Sequence, residues 1–176
     1  MVLNLKNNIF TKAAVLLLLP LFFCSCSDQA KETVPDLSGR LSYHATVKYE
    51  GNEMNLDLER ASIGVYSLTV VSPEPIKGMN FEYNAGTLTI KYLGLTKTFD
   101  QGAFPESSVI ETLITVLDGA SAAGALEYSG TRDGLSVYSG MSDAGQFELY
   151  FDTSKNQIEK LTLGNTEFEA IFTSIS

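Results

Sequence analysis

From residue 40 onward the dominant pattern is an alternation of apolar and polar residues with a period of two, which is typical of β-strands that bury one face. The first predicted strand places on one face Leu41, Tyr43, Ala45, Val47 and Tyr49. The next strand continues the pattern with Met54, Leu56 and Leu58, and its opposite face is acidic. A shift of one residue would bury those carboxylates, so the register of this strand is strongly specified.

Short turns connect the predicted strands. Gly51-Asn52 has the composition of a two-residue hairpin turn, and Asp133-Gly134 marks another. Because parallel neighbours need crossovers of a dozen or more residues, such short connections predict an antiparallel meander. A sheet of about ten strands must curl or close to cover its apolar face. We therefore predict a mainly β fold, in which a curved antiparallel sheet forms a half-open barrel with one principal helix on its concave side.

The segment from Ser108 to Asp118 has the period of a helix instead. Ser108 and Glu111 have the spacing of a capping box. One helical face would carry Ile110, Leu113, Ile114 and Leu117. Gly119 predicts the C-terminal end of the helix. This helix would act as a lid or a plug on the sheet.

The first 26 residues differ from the rest, because they contain no Asp or Glu. Lys6 and Lys12 precede an apolar run of 11 residues, which suits a signal peptide and is shorter than the roughly 20 residues of a membrane span. Phe23 and Ser25 lie three and one residues before Cys26, as in a bacterial lipobox. We predict a signal peptide over residues 1–25, a lipidated Cys26 with a flexible tether to residue 39, and one domain over 40–176. The alternative is an ordinary signal peptide cleaved near Ser25.

A thioether-linked diacylglycerol on Cys26 would supply two chains, enough for stable membrane anchoring. The predicted location is the cell membrane, where the lipid-anchored domain faces the outside of the cytoplasm, either at the cell surface or in the periplasm. No cysteine follows Cys26, which excludes a disulfide framework. Without Lys6 and Lys12 the chain has 10 basic and 21 acidic residues, a net charge of −11. This charge argues against a nucleic-acid partner.

No catalytic pattern occurs in the sequence. The G-x-S-x-G, S-x-x-K, P-loop and H-E-x-x-H patterns are absent. The single histidine, His44, falls on the polar face of the first strand, and the nearby carboxylates of Glu53, Asp57 and Glu59 are expected to face water. The sequence therefore predicts no enzyme, no cofactor and no metal site.

The lipobox, the meander, the inserted helix and the run from Tyr66 to Pro73 leading to Gly78-Met79-Asn80-Phe81 resemble the LolA/LolB/RseB-like group of lipoprotein carriers, including small lipoproteins of Gram-positive bacteria. The resemblance extends over residues 40–175 and includes the closing strands. It implies a half-open barrel with an apolar cavity under a helical lid, which in carriers receives the acyl chains of a client lipoprotein. The buried basic residue with which some carriers hold the lid cannot be placed on Arg40, Arg60 or Arg132, because each lies near a strand end or a turn. The apolar insertion loop of the acceptor type is not evident over residues 119–125.

Aromatic residues of the apolar strand faces could line such a cavity or could fill an ordinary core. They are Tyr43, Tyr49, Phe81, Tyr83, Tyr92, Phe147, Phe151, Phe168 and Phe172. The first hypothesis is a membrane-anchored lipoprotein that binds a hydrophobic or lipid-linked ligand, such as lipid or lipoprotein acyl chains. The alternative is a protein-interaction or envelope-sensor module, RseB-like, with a filled core and a protein partner.

Overall fold

The computed structural model describes residues 33–100, 108–164 and 166–175. The predicted signal peptide and Cys26 lie outside these residues. Within these ranges, eleven strands and one α-helix follow one another. They are β1 (Leu41–Tyr49), β2 (Asn52–Ser62), β3 (Val65–Ser72), β4 (Asn80–Asn84), β5 (Thr87–Tyr92), β6 (Leu95–Phe99), α1 (Val109–Ser121), β7 (Glu127–Arg132), β8 (Leu135–Ser142), β9 (Gly145–Asp152), β10 (Gln157–Leu163) and β11 (Glu169–Ser174). A 3₁₀ helix, Glu74–Ile76, connects β3 to β4.

All the strands belong to one antiparallel sheet with the order β6-β5-β4-β3-β2-β1-β11-β10-β9-β8-β7. The first and last strands pair at the centre, where Ala45 lies opposite Phe172. The two edges are β6 and β7, which precede and follow α1 in the chain. The predicted mainly β fold, with a curved antiparallel sheet and one helix, is confirmed, and the sheet does not close into a full barrel.

One core lies between the apolar face of the sheet and the helix. Leu58, Leu68, Leu149 and Leu161 from four strands are fully buried, and Leu113 of α1 joins them. Burying one such side chain stabilises the fold by about 1.5–3 kcal/mol. The alternation seen in the sequence therefore corresponds to the buried face of the sheet.

The sheet has one strand more than the ten predicted, because both edge strands carry weak sequence signals. Nearly every residue of β6 and β7 is exposed. A strand without a buried face has no apolar alternation, so the period-two pattern ends at Tyr92 and resumes at Leu135.

Two predicted boundaries are wrong by one to three residues. The first hairpin turns at Glu50 and Gly51, with φ of 47° and 76°, and Asn52 already pairs with Tyr49 in the ladder. The helix continues past Gly119 to Ser121. A Cβ at Gly119 would lie 2.8 Å from the Cβ of Ser142, so this glycine permits close packing of α1 on β8 and does not end the helix.

No helix among the residues that the structure describes has the length and apolarity of a membrane span.

Candidate functional site

Helix α1 covers the apolar face of the sheet. All four predicted lid residues are at most 3% exposed, namely Ile110, Leu113, Ile114 and Leu117. The N-terminus forms as the capping box predicts, since the Ser108 hydroxyl accepts a hydrogen bond from the Glu111 amide at 3.1 Å. The apolar face of α1 thus belongs to the same core as the strands.

The nine aromatic residues predicted for a cavity are distributed unevenly. Six of them are at most 6% exposed: Tyr43, Phe81, Phe147, Phe151, Phe168 and Phe172. Tyr49 and Tyr83 are partly buried against this core, and the ring centroids of Tyr49 and Phe168 lie 6.1 Å apart. Tyr92 lies apart, and its hydroxyl donates to the Pro75 carbonyl at 2.7 Å. The fold therefore places eight of the nine residues in or against the core to which the apolar face of α1 belongs.

A buried arginine joins the sheet to the helix. Arg60 is 1% exposed, and its guanidinium donates to the Ser121 hydroxyl at 2.6 Å. It also donates to the carbonyl of Gly39 at 2.8 Å and to the carbonyl of Leu37. We call this group, Leu37, Gly39, Arg60 and Ser121, the latch. The last turn of α1 has no basic residue of its own, so Arg60 supplies the cation that the C-terminal end of a helix dipole favours.

The latch also holds the segment that precedes β1. Leu37 is 6% exposed, and the Tyr138 hydroxyl donates to the Thr33 carbonyl at 3.2 Å. Residues 33–39, which the sequence predicts to be part of a flexible tether, are thus held to the sheet.

A second polar contact joins the helix to β3. The Tyr66 hydroxyl donates to the Asp118 carboxylate at 2.5 Å, and the Gly64 amide donates to the same oxygen at 3.3 Å. Burial raises the pKa of Tyr66 well above its usual range, and the hydrogen bond to Asp118 raises it further. Tyr66 therefore stays protonated and remains a donor to the helix.

The pattern of β2 in the sequence already indicates that Arg60 is buried, although we had interpreted this arginine as lying near a strand end. Arg60 continues the two-residue spacing of Leu56 and Leu58, so it points to the buried face. A charged residue in an inward position needs buried partners, and the register places Tyr66 directly opposite it. What the sequence could not show is which carbonyls would surround the guanidinium.

A polar cleft of about 180 Å³ opens beside the latch. Its lining includes Leu37, Arg40, Tyr43 and Gln157. This volume is smaller than the roughly 300–1,000 Å³ of typical small-molecule pockets. The cleft therefore does not by itself accommodate a long acyl chain.

The polar face of the sheet carries the one histidine. His44 is exposed, as predicted, and its Nδ1 lies 2.5 Å from a carboxylate oxygen of Asp57 on the neighbouring strand. Lys48 and Glu169 form a similar cross-strand ion pair at 3.7 Å. Over the described ranges, the structure brings together no group of three or more His, Cys, Asp or Glu side chains that could hold a metal ion.

No protein-family model matches the chain, and no curated protein matches its sequence. Among solved structures, an uncharacterized conserved protein from Thermus thermophilus aligns with a TM-score of 0.52 and 10% identity, over 79% of this chain and 78% of its own. At this identity the likeness concerns the fold alone.

Two further solved structures align with TM-scores below 0.5. A LolA superfamily protein from Nitrosomonas europaea has a TM-score of 0.38 and 10% identity, over 81% of this chain and 67% of its own. A chain of the CwlD amidase–GerS lipoprotein complex from Clostridioides difficile has a TM-score of 0.47 and 13% identity, over 100% of this chain and 98% of its own.

Proposed function

We propose that this protein is a membrane-anchored extracytoplasmic lipoprotein that binds a hydrophobic or lipid-linked ligand between helix α1 and the apolar face of the sheet. The observation that carries the proposal is the latch. A helix with a purely apolar attachment would need no buried arginine, whereas Arg60 makes directional hydrogen bonds to both the helix and the N-terminal segment. Because one guanidinium makes these bonds, lifting the end of α1 from the sheet would break its bond to Ser121.

The free energy needed to move α1 off the sheet is comparable to the free energy gained when an acyl chain is buried. Moving α1 away would expose five large apolar side chains of the helix, at a cost of about 8–15 kcal/mol; they are Ile110, Leu113, Ile114, Val116 and Leu117. Burying one methylene of a ligand contributes about 0.8 kcal/mol, so an acyl chain of roughly 10–19 methylenes would offset this cost. Fatty acyl chains of bacterial lipids are of this size, and short or polar ligands would not hold the lid open.

Native mass spectrometry tests ligand binding directly. The described sheet, helix and core lie within one compact unit that starts at Thr33, so a chain that begins at Ser27 keeps every described contact. We expect this chain, purified without detergent, to carry a lipid that is released on denaturation. A bare mass, together with no uptake of a fluorescent fatty acid, would contradict the proposed ligand.

Membrane anchoring is tested by replacing Cys26 in the full chain. We expect Cys26→Ala to release the protein from the membrane fraction, because the acceptor of the diacylglycerol is lost. Cys24, two residues earlier, provides a matched control. Cys24→Ala should leave fractionation unchanged, and equal behaviour of the two variants would count against the lipobox.

A protein-interaction or sensor module is the second candidate function. The observation that favours it is the burial of six aromatic residues in a core that α1 already covers. In that case α1 is a permanent part of the fold. The chain would then purify without lipid and would not take up the fatty acid. Variants in which the latch is broken would give the same result.

A further inference from the structure

The cleft beside the latch brings together one cation and one anion. Its lining includes Arg40 and Asp36, together with uncharged polar side chains. Arg40 is exposed and forms no hydrogen bond or ion pair with any residue that the structure describes. Hydrogen bonds from the side chain and the backbone of Ser38 lower the pKa of Asp36, so this carboxylate stays ionised. Two opposite charges, not paired with each other, thus lie at one cleft.

Arg40 differs in this respect from the other basic side chains of the described ranges. These ranges contain nine lysines and arginines. Five of the others form ion pairs with carboxylates, two lie over aromatic rings, and Arg60 is held in the latch. Although acidic residues are in excess, the described chain leaves the Arg40 guanidinium without a partner, and this guanidinium lines the cleft. Its N–H donors are therefore free to bind an oxyanion from outside the chain.

Other polar groups of the cleft also lack partners. The side chains of Ser42, Asn156 and Gln157 line the cleft and form no hydrogen bond within the part of the chain that the structure describes. Tyr43 is 6% exposed, and its hydroxyl accepts a hydrogen bond from the Ile158 amide at 3.2 Å. The proton of this hydroxyl has no acceptor among the described residues. Because buried polar groups are nearly always hydrogen-bonded, an unused buried donor at a cleft indicates an acceptor from outside the chain.

The floor of the cleft belongs to the core. Leu37, Tyr43 and Phe151 line the cleft, and each of them is at most 6% exposed and packs in the core with the apolar face of α1. Leu37 lies in the segment 33–39, which adds no strand to the sheet and is held by the side chains of Arg60 and Tyr138. A ligand whose polar group occupies the cleft therefore places its apolar part against Leu37, at the margin of the core.

We propose that the cleft binds the zwitterionic headgroup of a lipid, in which an ammonium group adjoins a phosphate, as in phosphatidylethanolamine. Arg40 binds the phosphate through charge-assisted hydrogen bonds, and Asp36 pairs with the ammonium. A purely anionic headgroup would be repelled by Asp36, and a purely cationic one by Arg40. The volume of about 180 Å³ leaves room for a headgroup and not for an acyl chain. Entry of the chain into the core past Leu37 rests on the proposed function.

Calorimetric titration of the chain from Ser27 with two lysolipids tests the proposal. Myristoyl lysophosphatidylethanolamine and myristoyl lysophosphatidylglycerol share the acyl chain and the phosphate, and only the first carries an ammonium group. Below the micelle concentrations, we expect the ethanolamine lipid to bind about fivefold more tightly. Arg40→Gln should weaken the binding of both lipids about tenfold, because both lose the contact to the phosphate. Asp36→Asn should remove the preference for the ethanolamine lipid.

Matched variants separate the cleft from general effects of charge and folding. The carboxamide of Asp36→Asn can still accept the hydrogen bond from the Ser38 amide, so this variant should melt at the same temperature as the unmodified chain. Lys97→Gln removes a cation and Asp133→Asn removes a carboxylate, both outside the lining of the cleft, and neither should change the two affinities. Equal effects of Lys97→Gln and Arg40→Gln would overturn the assignment of the cleft.

Free phosphoethanolamine distinguishes the headgroup from the whole lipid. In spectra of the backbone amides, it should shift the resonances around Arg40 and Gln157, and Arg40→Gln should abolish these shifts. If it binds as tightly as the ethanolamine lysolipid, the cleft is a site for the free zwitterion and the proposed acyl ligand is contradicted. If both lysolipids bind equally to the unmodified chain and to the cleft variants, the headgroup site is wrong while the proposed function stands. Absence of any binding or shift would also overturn the headgroup site.

Discussion

Replacing Arg60 with methionine removes the latch while keeping most of the buried volume. The guanidinium is 1% exposed and bonds to three oxygen acceptors, the carbonyls of Leu37 and Gly39 and the hydroxyl of Ser121. Methionine would lose the hydrogen bonds that the guanidinium makes to these three oxygens, while the Leu37 carbonyl would keep the Ser121 hydroxyl as a donor at 3.0 Å. Hydrogen bonds to charged groups contribute about 1.5–3 kcal/mol each, and the methionine side chain recovers part of the loss by apolar burial. We expect a loss of about 3 kcal/mol in the free energy of unfolding. For a domain of this size this corresponds to a fall in Tm of roughly 10 °C.

The assay is thermal and urea unfolding of the chain from Ser27, followed by circular dichroism. Arg40→Met is the matched control, because Arg40 is exposed and carries the same charge. Its Tm should stay within about 2 °C of the unmodified chain. Arg60→Lys keeps the charge and loses the planar fork, so we expect about half of the destabilisation. If Arg60→Met unfolds at the same temperature as Arg40→Met, the reasoning about the latch is refuted.

The same variant connects stability with ligand access. If the latch holds the lid, a loss of about 3 kcal/mol raises the population of the open state by roughly 100-fold. Uptake of a fluorescent fatty acid should then be faster in Arg60→Met than in the unmodified chain. Destabilisation without faster uptake would assign the latch to the fold alone and favour the interaction module.

Other predictions concern the helix and its contacts. Stability should fall as the pH rises above about 10, because the unfolded chain releases the Tyr66 proton there while the raised pKa of Tyr66 keeps the folded form protonated; Tyr66→Phe should make this fall shallower in urea titrations near pH 9 and 11. Gly140→Ala should cost about 2 kcal/mol, since its Cβ would lie 2.3 Å from the Phe147 ring and 2.9 Å from the Ala125 carbonyl, whereas Gly39→Ala meets nothing within 4 Å and should be neutral by thermal melting. Ser108→Ala should cost about 1 kcal/mol by loss of the N-cap, and an unchanged Tm would mean that the cap does not stabilise α1.

Much of the fold follows from local sequence patterns. Alternation predicts which residues of β1 and β2 are buried, and Ala45, Leu56 and Leu58 are at most 2% exposed. The Ser108–Glu111 spacing predicts the start of α1 correctly. These features can be predicted from the sequence because each depends on residues that are close together in the chain. The edge strands β6 and β7 cannot be predicted in this way, since an exposed strand is defined by its pairing partner and has no apolar face of its own.

The candidate site depends on contacts between distant parts of the chain. Ser121 and Leu37 are 84 residues apart, and they meet because the pairing of β1 with β2 brings Arg60 beside the entry to β1. In the sequence, Gly119 indicates the end of a helix. In the structure, a glycine is needed at this position because Ser142 packs closely against the helix.

Sequence alone therefore establishes the class of the fold, the face of each buried strand and the one helix, because periodicity and capping are local properties. The latch, the docking of residues 33–39 and the isolation of Tyr92 from the other aromatic residues emerge only in three dimensions. Which oxygen atoms surround a buried charge depends on the register and packing of elements far apart in the chain, and no local pattern encodes that information.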